Sequence, residues 1–192
     1  MNHASCSFKG GDVGSNTTCQ FPVTCNGIEQ DVSNTRLFKK LEKAGKIRKQ
    51  KAGFVQIEAV LKEAILDLEE AGKIVHIAER ATYLLAYNAM LKAGRALMLS
   101  QGYVPDDGTQ HKTVVEMTSA ILGDPYKDLT DQFESMRRKR NEMTYEAGTL
   151  LSRSEAEKAF SDAIAVLRRT LDDVKSKNPQ LELKFKIRDG DG

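Results

Sequence analysis

The sequence predicts an all-α fold, an up-and-down bundle of helices, and three observations predict it. Apolar residues recur every three or four positions in separate stripes between Phe54 and Val174, the spacing that gathers side chains on one helix face. Aromatic content is only 6%, with no Trp and four Pro, which suits helices better than a turn-rich sandwich or barrel. Short polar stretches separate the stripes, so consecutive helices fold back on one another.

With 192 residues, the chain holds one domain of ordinary size and its tails. Its 29 Lys and Arg offset 27 Asp and Glu, a formal charge of +2, so binding to nucleic acid or anionic lipid would need a local patch. No run approaches the ~20 apolar residues of a spanning helix, and the opening MNHASCSFKGG lacks the apolar stretch of a secretory signal. A cytoplasmic location without membrane association is therefore expected. Cys6, Cys19 and Cys25 are odd in number, match no zinc spacing and have only His3 nearby. Neither a disulfide framework, nor a metal site, nor a cofactor is expected.

Residues 1–32 are rich in Gly, Ser, Thr and Asn and show no helical period, so a disordered tail is expected there. The folded domain is expected over 33–176. Ser33 or Asn34 can cap a first helix that carries Leu37, Phe38 and Leu41 on one side and ends near Gly45. Between Arg36 and Lys51, eight basic residues accompany a single acid, Glu42, a strong charge run. Next comes a helix with Phe54, Ile57, Leu61, Ile65 and Leu68 as its stripe. The segment from about Lys73 to Ser100 is apolar on two lines. Ile77, Leu84, Leu91 and Met98 form one, and Tyr83, Tyr87, Met90, Gly94 and Leu97 the other. It should be the central buried helix, with Gly94 admitting a close neighbour.

Gly, Pro and Asp make 101–110 a loop, and a shorter helix follows over His111 to Leu122. Gly123-Asp124-Pro125 stops it, and a long helix runs from about Tyr126 to Glu146. Ser152 or Ser154 caps a last helix with Ala156, Phe160, Ala163, Leu167, Leu171 and Val174 as its stripe, closed by Asn178-Pro179. In the extended tail 177–192, Leu181, Leu183, Phe185 and Ile187 alternate with charged residues. That period of two predicts a strand over 181–187, pairing with the N-terminal segment or a second copy.

The late helix carries the chemistry. Leu129, Phe133, Met136, Arg140, Met143 and Ala147 form one seam with an arginine set into it. A guanidinium stays charged and needs a carboxylate, backbone carbonyls or a bound phosphate. Arg138, Asn141 and Tyr145 lie on a neighbouring strip, while Arg137, Arg138 and Lys139 form either a solvated face or a nucleic-acid contact. Arg140 pairs with an acid of another helix or binds an anion, and the spacing alone leaves both open.

The Arg-Asn-x-x-x-Tyr at 140–145, the central helix Tyr83-Leu84-Leu85-Ala86-Tyr87-Asn88-Ala89-Met90-Leu91-Lys92-Ala93, and the run from Ala96 to Tyr103 then Pro105 resemble the HEPN domain, as does His111-Lys112 after the loop. The likeness covers about residues 36–175. It implies a helical bundle, commonly a homodimer, often beside a minimal nucleotidyltransferase in toxin-antitoxin pairs. Active members are metal-independent ribonucleases in which an arginine holds the scissile phosphate and a histidine a few residues later moves protons. The resemblance implies catalytic roles for Arg140, Asn141 and Tyr145 and nucleic-acid contacts for Arg137, Arg138 and Lys139. Tyr145 stands where the histidine is expected, and a phenol of ordinary pKa ~10 is a poor base at neutral pH beside an imidazole at ~6.5. His76, expected early in the central helix, and His111, at the start of another, are the other histidines that could carry the proton.

Two functions follow. One is an HEPN-like protein that binds RNA or nucleotides, a toxin-antitoxin or defence-type ribonuclease with a degenerate site. The other is a non-catalytic helical interaction module for a partner such as a minimal nucleotidyltransferase, with Arg140 paired internally.

Overall fold

A computed structural model describes residues 26–146 and 148–179, with side chains from Thr35 onward. The expected strand over 181–187 and the three cysteines lie outside these residues. Six helices are present among the described residues: α1 (Asn26–Lys43), α2 (Phe54–Ile74), α3 (Glu79–Ser100), α4 (Gln110–Leu122), α5 (Lys127–Tyr145) and α6 (Arg153–Lys177). The strands β1 (Ile47–Lys49) and β2 (Tyr103–Pro105) join them. None of the described helices is long and apolar enough to cross a membrane.

α3 is the hub, packing against α2, α4, α5 and α6. Its buried residues cover most of its circumference, from Thr82 and Tyr83 through Ala86, Tyr87, Ala89 and Met90 to Leu99, and leave Ala81 and Asn88 exposed on one strip. α2 presents Ile57, Leu61, Ile65 and Leu68 inward, with Ala64 and Ala71 completing its face, whereas Phe54 is 47% exposed. All six residues of the α6 stripe are buried. Ser152 caps α6 in a reciprocal box, its Oγ accepting from Glu155 N at 3.2 Å while Ser152 N donates to Glu155 Oε2 at 2.8 Å. Gly94 works as expected: a Cβ there would meet Thr118 Oγ1 at 2.5 Å and Val114 Cγ1 at 2.7 Å, so α4 lies directly on bare α3 backbone.

Three boundaries differ from expectation. α1 begins at Asn26 rather than at Ser33 or Asn34, so residues 26–32 of the expected tail are helical. Ile28 and Val32, four apart, extend the apolar spacing backward, and Glu29 and Asp31 suit a helix N-terminus. The break before the central helix falls at 75–78, not near Lys73, which puts Ile77 in a turn with 77% exposure and His76 outside α3. The apolar period runs on through this turn and conceals it. The turn closes on Ile74 O, which accepts from Ile77 N and Ala78 N at 2.9 Å and from the Thr82 hydroxyl at 3.1 Å.

The third difference is a short antiparallel ribbon where a plain loop was expected, pairing Ile47 with Pro105, Arg48 with Val104 and Lys49 with Tyr103. Gly45, at φ +65°, turns the chain out of α1, and Ile47 is buried while Arg48 and Lys49 stay exposed. The ribbon lies at the edge of the bundle. It fixes the loop that leads into α4, because Asp106 N donates to Lys46 O at 2.8 Å.

Candidate functional site

α5 buries Thr130, Phe133, Met136 and Met143. Arg140 continues that face only half-buried, because the first turn of α4 stands opposite and leaves a cleft of about 450 Å³. The walls are the loop 107–109, then Gln110, His111 and Lys112, then Arg137, Arg140 and Asn141 of α5. Thr109 caps α4 without a side-chain hydrogen bond, so no hydroxyl occupies the first-turn N–H groups.

The four consecutive cations of α5 divide sharply. Arg137 grips Glu134 with both ends of its fork, Nε to Oε2 at 2.7 Å and Nη2 to Oε1 at 2.8 Å. Arg138, exposed, shares the same carboxylate at 2.9 Å. Chiefly through the Arg137 hydrogen bond, with burial opposing and Arg138 assisting, the Glu134 carboxyl is held at about 2. Lys139 donates to Glu155, which its contact and the Ser152 cap hold at about 2. Arg140 stands apart. Among the described residues no carboxylate lies within ion-pair distance of it, and its Nη1 donates at 3.3 Å to Asn141 Oδ1.

His111 meets this arginine from the other wall. Its Nδ1 lies 3.0 Å from the hydroxyl of Tyr87, a fully buried side chain wedged between His111 and Phe133 with ring centroids 5.9 and 6.0 Å away. Burial, the largest effect, pushes the Tyr87 phenol up to about 12, so it keeps its proton. Among the described residues its one hydrogen-bond partner is His111 Nδ1, and the imidazole tautomer sets which of the two donates. A phenol that donates to Nδ1 leaves the hydrogen on Nε2, on the far side of the ring. Burial, followed by Arg140, Arg95 and Arg137, lowers the His111 pKa below its ordinary 6.5. At neutral pH His111 is therefore an uncharged donor beside Arg140.

Behind the cleft wall, Arg95 of α3 reaches Gln110 Oε1 at 3.3 Å, its Nε is buried with no hydrogen-bond partner, and no described carboxylate pairs with it. Asp107 holds the loop on α4, Oδ2 accepting from Thr109 Oγ1 at 2.6 Å and Thr113 Oγ1 at 3.1 Å, while its buried Oδ1 lacks a partner. Lys112 and Arg140, both without a carboxylate among the described residues, thus line the cleft with one acid, Asp107. The arrangement can bind an anion through charge and several fixed N–H donors.

Of the expected catalytic set, Arg140 and Asn141 come together in the cleft, and Tyr145 does not line it. Five residues turn a helix about 140° past a full turn, and Tyr145 is accordingly 82% exposed at the end of α5. Of the expected nucleic-acid contacts, Arg137 lines the cleft while Arg138 and Lys139 are held outside it by acids. His76 bonds Glu157 Oε1 at 3.2 Å and lies in the α2–α3 turn. Arg95 and Asp107 had not been singled out. The available signal for Arg95 was a cation between Gly94 and Ala96 in the apolar second half of α3, and nothing local marked Asp107.

The model of the HEPN domain matches residues 57–174, well over half of the chain. The chain belongs to the HEPN domain family. Membership places it among helical domains with nucleotide- and RNA-related roles. The matched HEPN segment contains both walls of the cleft and begins within α2, so α1 and β1 lie outside it. No curated protein matches the sequence.

Proposed function

We propose that the Arg140 cleft binds phosphate groups of RNA or nucleotides, and that this HEPN protein is an RNA-binding member whose site no longer favours cleavage. The observation that carries the reading is the isolation of Arg140: its three neighbouring cations are each paired with Glu134 or Glu155, and Arg140, which lines the cleft, has no carboxylate among the described residues. A desolvated guanidinium in that position calls for an anion. His111 Nε2–H, Lys112 and the first turn of α4 supply further donors around the same space.

Transfer of a phosphodiester to the ribose 2′-hydroxyl needs a base for that hydroxyl proton. With the Tyr87 hydroxyl donating to Nδ1, the nitrogen that His111 turns away from Tyr87 carries a hydrogen, and Tyr145 lies outside the cleft. Both features support binding over cleavage. The interaction-module reading expects an internal acid for Arg140, and it has less support for want of one. A two-fold homodimer belongs to the same proposal, since Tyr145 and Leu150, 82% and 87% exposed near the end of the arginine helix, are surfaces a second copy would cover. Sedimentation at micromolar concentration tests it.

The functional test is fluorescence anisotropy with labelled single-stranded RNA over a salt series, with product analysis in EDTA. Binding that weakens steeply with salt, and intact RNA, is the expected result. Salt-independent binding, or no binding, would remove the phosphate reading. Cleavage would restore a catalytic one.

A further inference from the structure

We propose that the basic segment Arg36–Lys51 is a track for nucleotides flanking the phosphate at Arg140, so that the ligand is single-stranded RNA several nucleotides long. The inference rests on the phosphate reading of the cleft. α1 turns Leu37, Phe38 and Leu41 toward the bundle, and Arg36, Lys39, Lys40 and Lys43 stand exposed on the opposite side. Arg48 and Lys49 are answered by Asp106 at 3.1 Å and Glu42 at 3.6 Å. Among the described residues, no carboxylate pairs with Lys39, Lys40, Lys43 or Lys46.

These charges join the cleft through the fold. The β1–β2 ribbon holds Lys46 beside the loop that becomes the cleft wall. Lys46 and Lys112 line a second cavity of about 330 Å³, and Lys112 also lines the Arg140 cleft. Unpaired cations therefore pass from Arg140 through Lys112 to Lys46 and on to Lys43 at the end of α1. Of the acids in the second cavity, Glu134 is taken by two arginines and Asp131 by Lys127, leaving Glu116. At the join of α1 and β2, Phe38 and Tyr103 meet edge to face at 5.4 Å, both partly exposed, and offer a ring on which a base can stack. Ammonium groups strung along a line suit repeating phosphates, whereas a lone phosphate needs convergent donors. α1 and β1 fall outside the matched HEPN segment.

Anisotropy with oligouridylates from one to about eight nucleotides tests the track, using the full chain, Lys43→Glu/Lys46→Glu, Lys39→Glu/Lys40→Glu and Arg140→Ala. The second lysine pair is fully exposed and guards against misfolding of the first, which circular dichroism checks. Affinity of the full chain should rise with length. Each lysine pair should weaken the longest oligomer by about tenfold or more and flatten the salt slope by about 1.4 for two lost phosphate contacts, leaving uridine monophosphate within about twofold. Equal affinity for all lengths, or lysine variants that bind the longest oligomer normally, would overturn the track. Loss of binding in Arg140→Ala with lysine variants that bind the longest oligomer normally would keep the cleft and discard the track, and normal binding by Arg140→Ala would discard the cleft.

Discussion

Replacing Arg140 by Ala separates a binding arginine from a structural one. Breaking a buried ion pair costs about 3 to 5 kcal/mol because a carboxylate is left stranded. No described acid would be stranded here. The loss is one long hydrogen bond to Asn141, at 3.3 Å, toward the low end of the ~0.5 to 1.5 kcal/mol that such bonds contribute. Against it stands relief of repulsion from Arg137 and Lys112 around the same cleft. The net change should lie within about 1 kcal/mol of zero, a Tm shift of at most ~4 °C for a domain of this size. The substitution should also raise the His111 pKa toward its ordinary value, because Arg140 is the largest influence on it after burial. Thermal unfolding and an NMR titration of His111 read both effects. A Tm drop above ~8 °C, the mark of a broken buried pair, together with an unmoved His111, would refute the reasoning.

Tyr87→Phe keeps the packing and removes the donor to His111 Nδ1. It should cost about 0.5 to 1.5 kcal/mol and release the ring to its other tautomer, and nitrogen shifts showing Nδ1–H in the unmodified protein would contradict the assignment. Gly94→Ala drives a methyl into Thr118 and Val114 and should destabilise by about 1 to 3 kcal/mol, so an unchanged Tm would show that α4 yields easily. With a folded pKa below the unfolded value of ~6.5, His111 leaves the unfolded chain binding more protons in that window. Stability should therefore fall as pH drops through and below ~6.5, and His111→Asn should remove this slope in a series of melts. Glu134 and Glu155 act in a separate window. Their depressed carboxyls lend stability that is lost only between the ordinary 4.5 and about 2.

The bundle was legible because its stripes are long and regular. The α6 stripe from Ala156 to Val174 and the bare patch at Gly94 needed only periodicity and the absence of a Cβ. The turn at 75–78 was hidden because Ile74, Val75 and Ile77 sustain apolar character through it. β1 and β2, each three residues long and far apart in sequence, are too short to announce a pairing. Arg140 was visible as a cation in an apolar seam, but whether it had an acid partner depended on helices brought together only in the fold. Helical rotation alone removes Tyr145 from the Arg140 face. The place of His111 rests on the Tyr87 hydroxyl, a tertiary contact that no local pattern records.

The central claim is that the cleft arginine, rather than basic charge in general, holds the RNA phosphate. The most direct measurement is RNA affinity, at one ionic strength, for Arg140→Ala beside Arg138→Ala, which removes an equal charge from an exposed, acid-paired position on the same helix. Arg140→Ala should lose about tenfold or more in affinity, the scale of a lost charge-assisted contact, and Arg138→Ala should change it within about twofold. Equal losses in the two variants, or no loss in either, would contradict it.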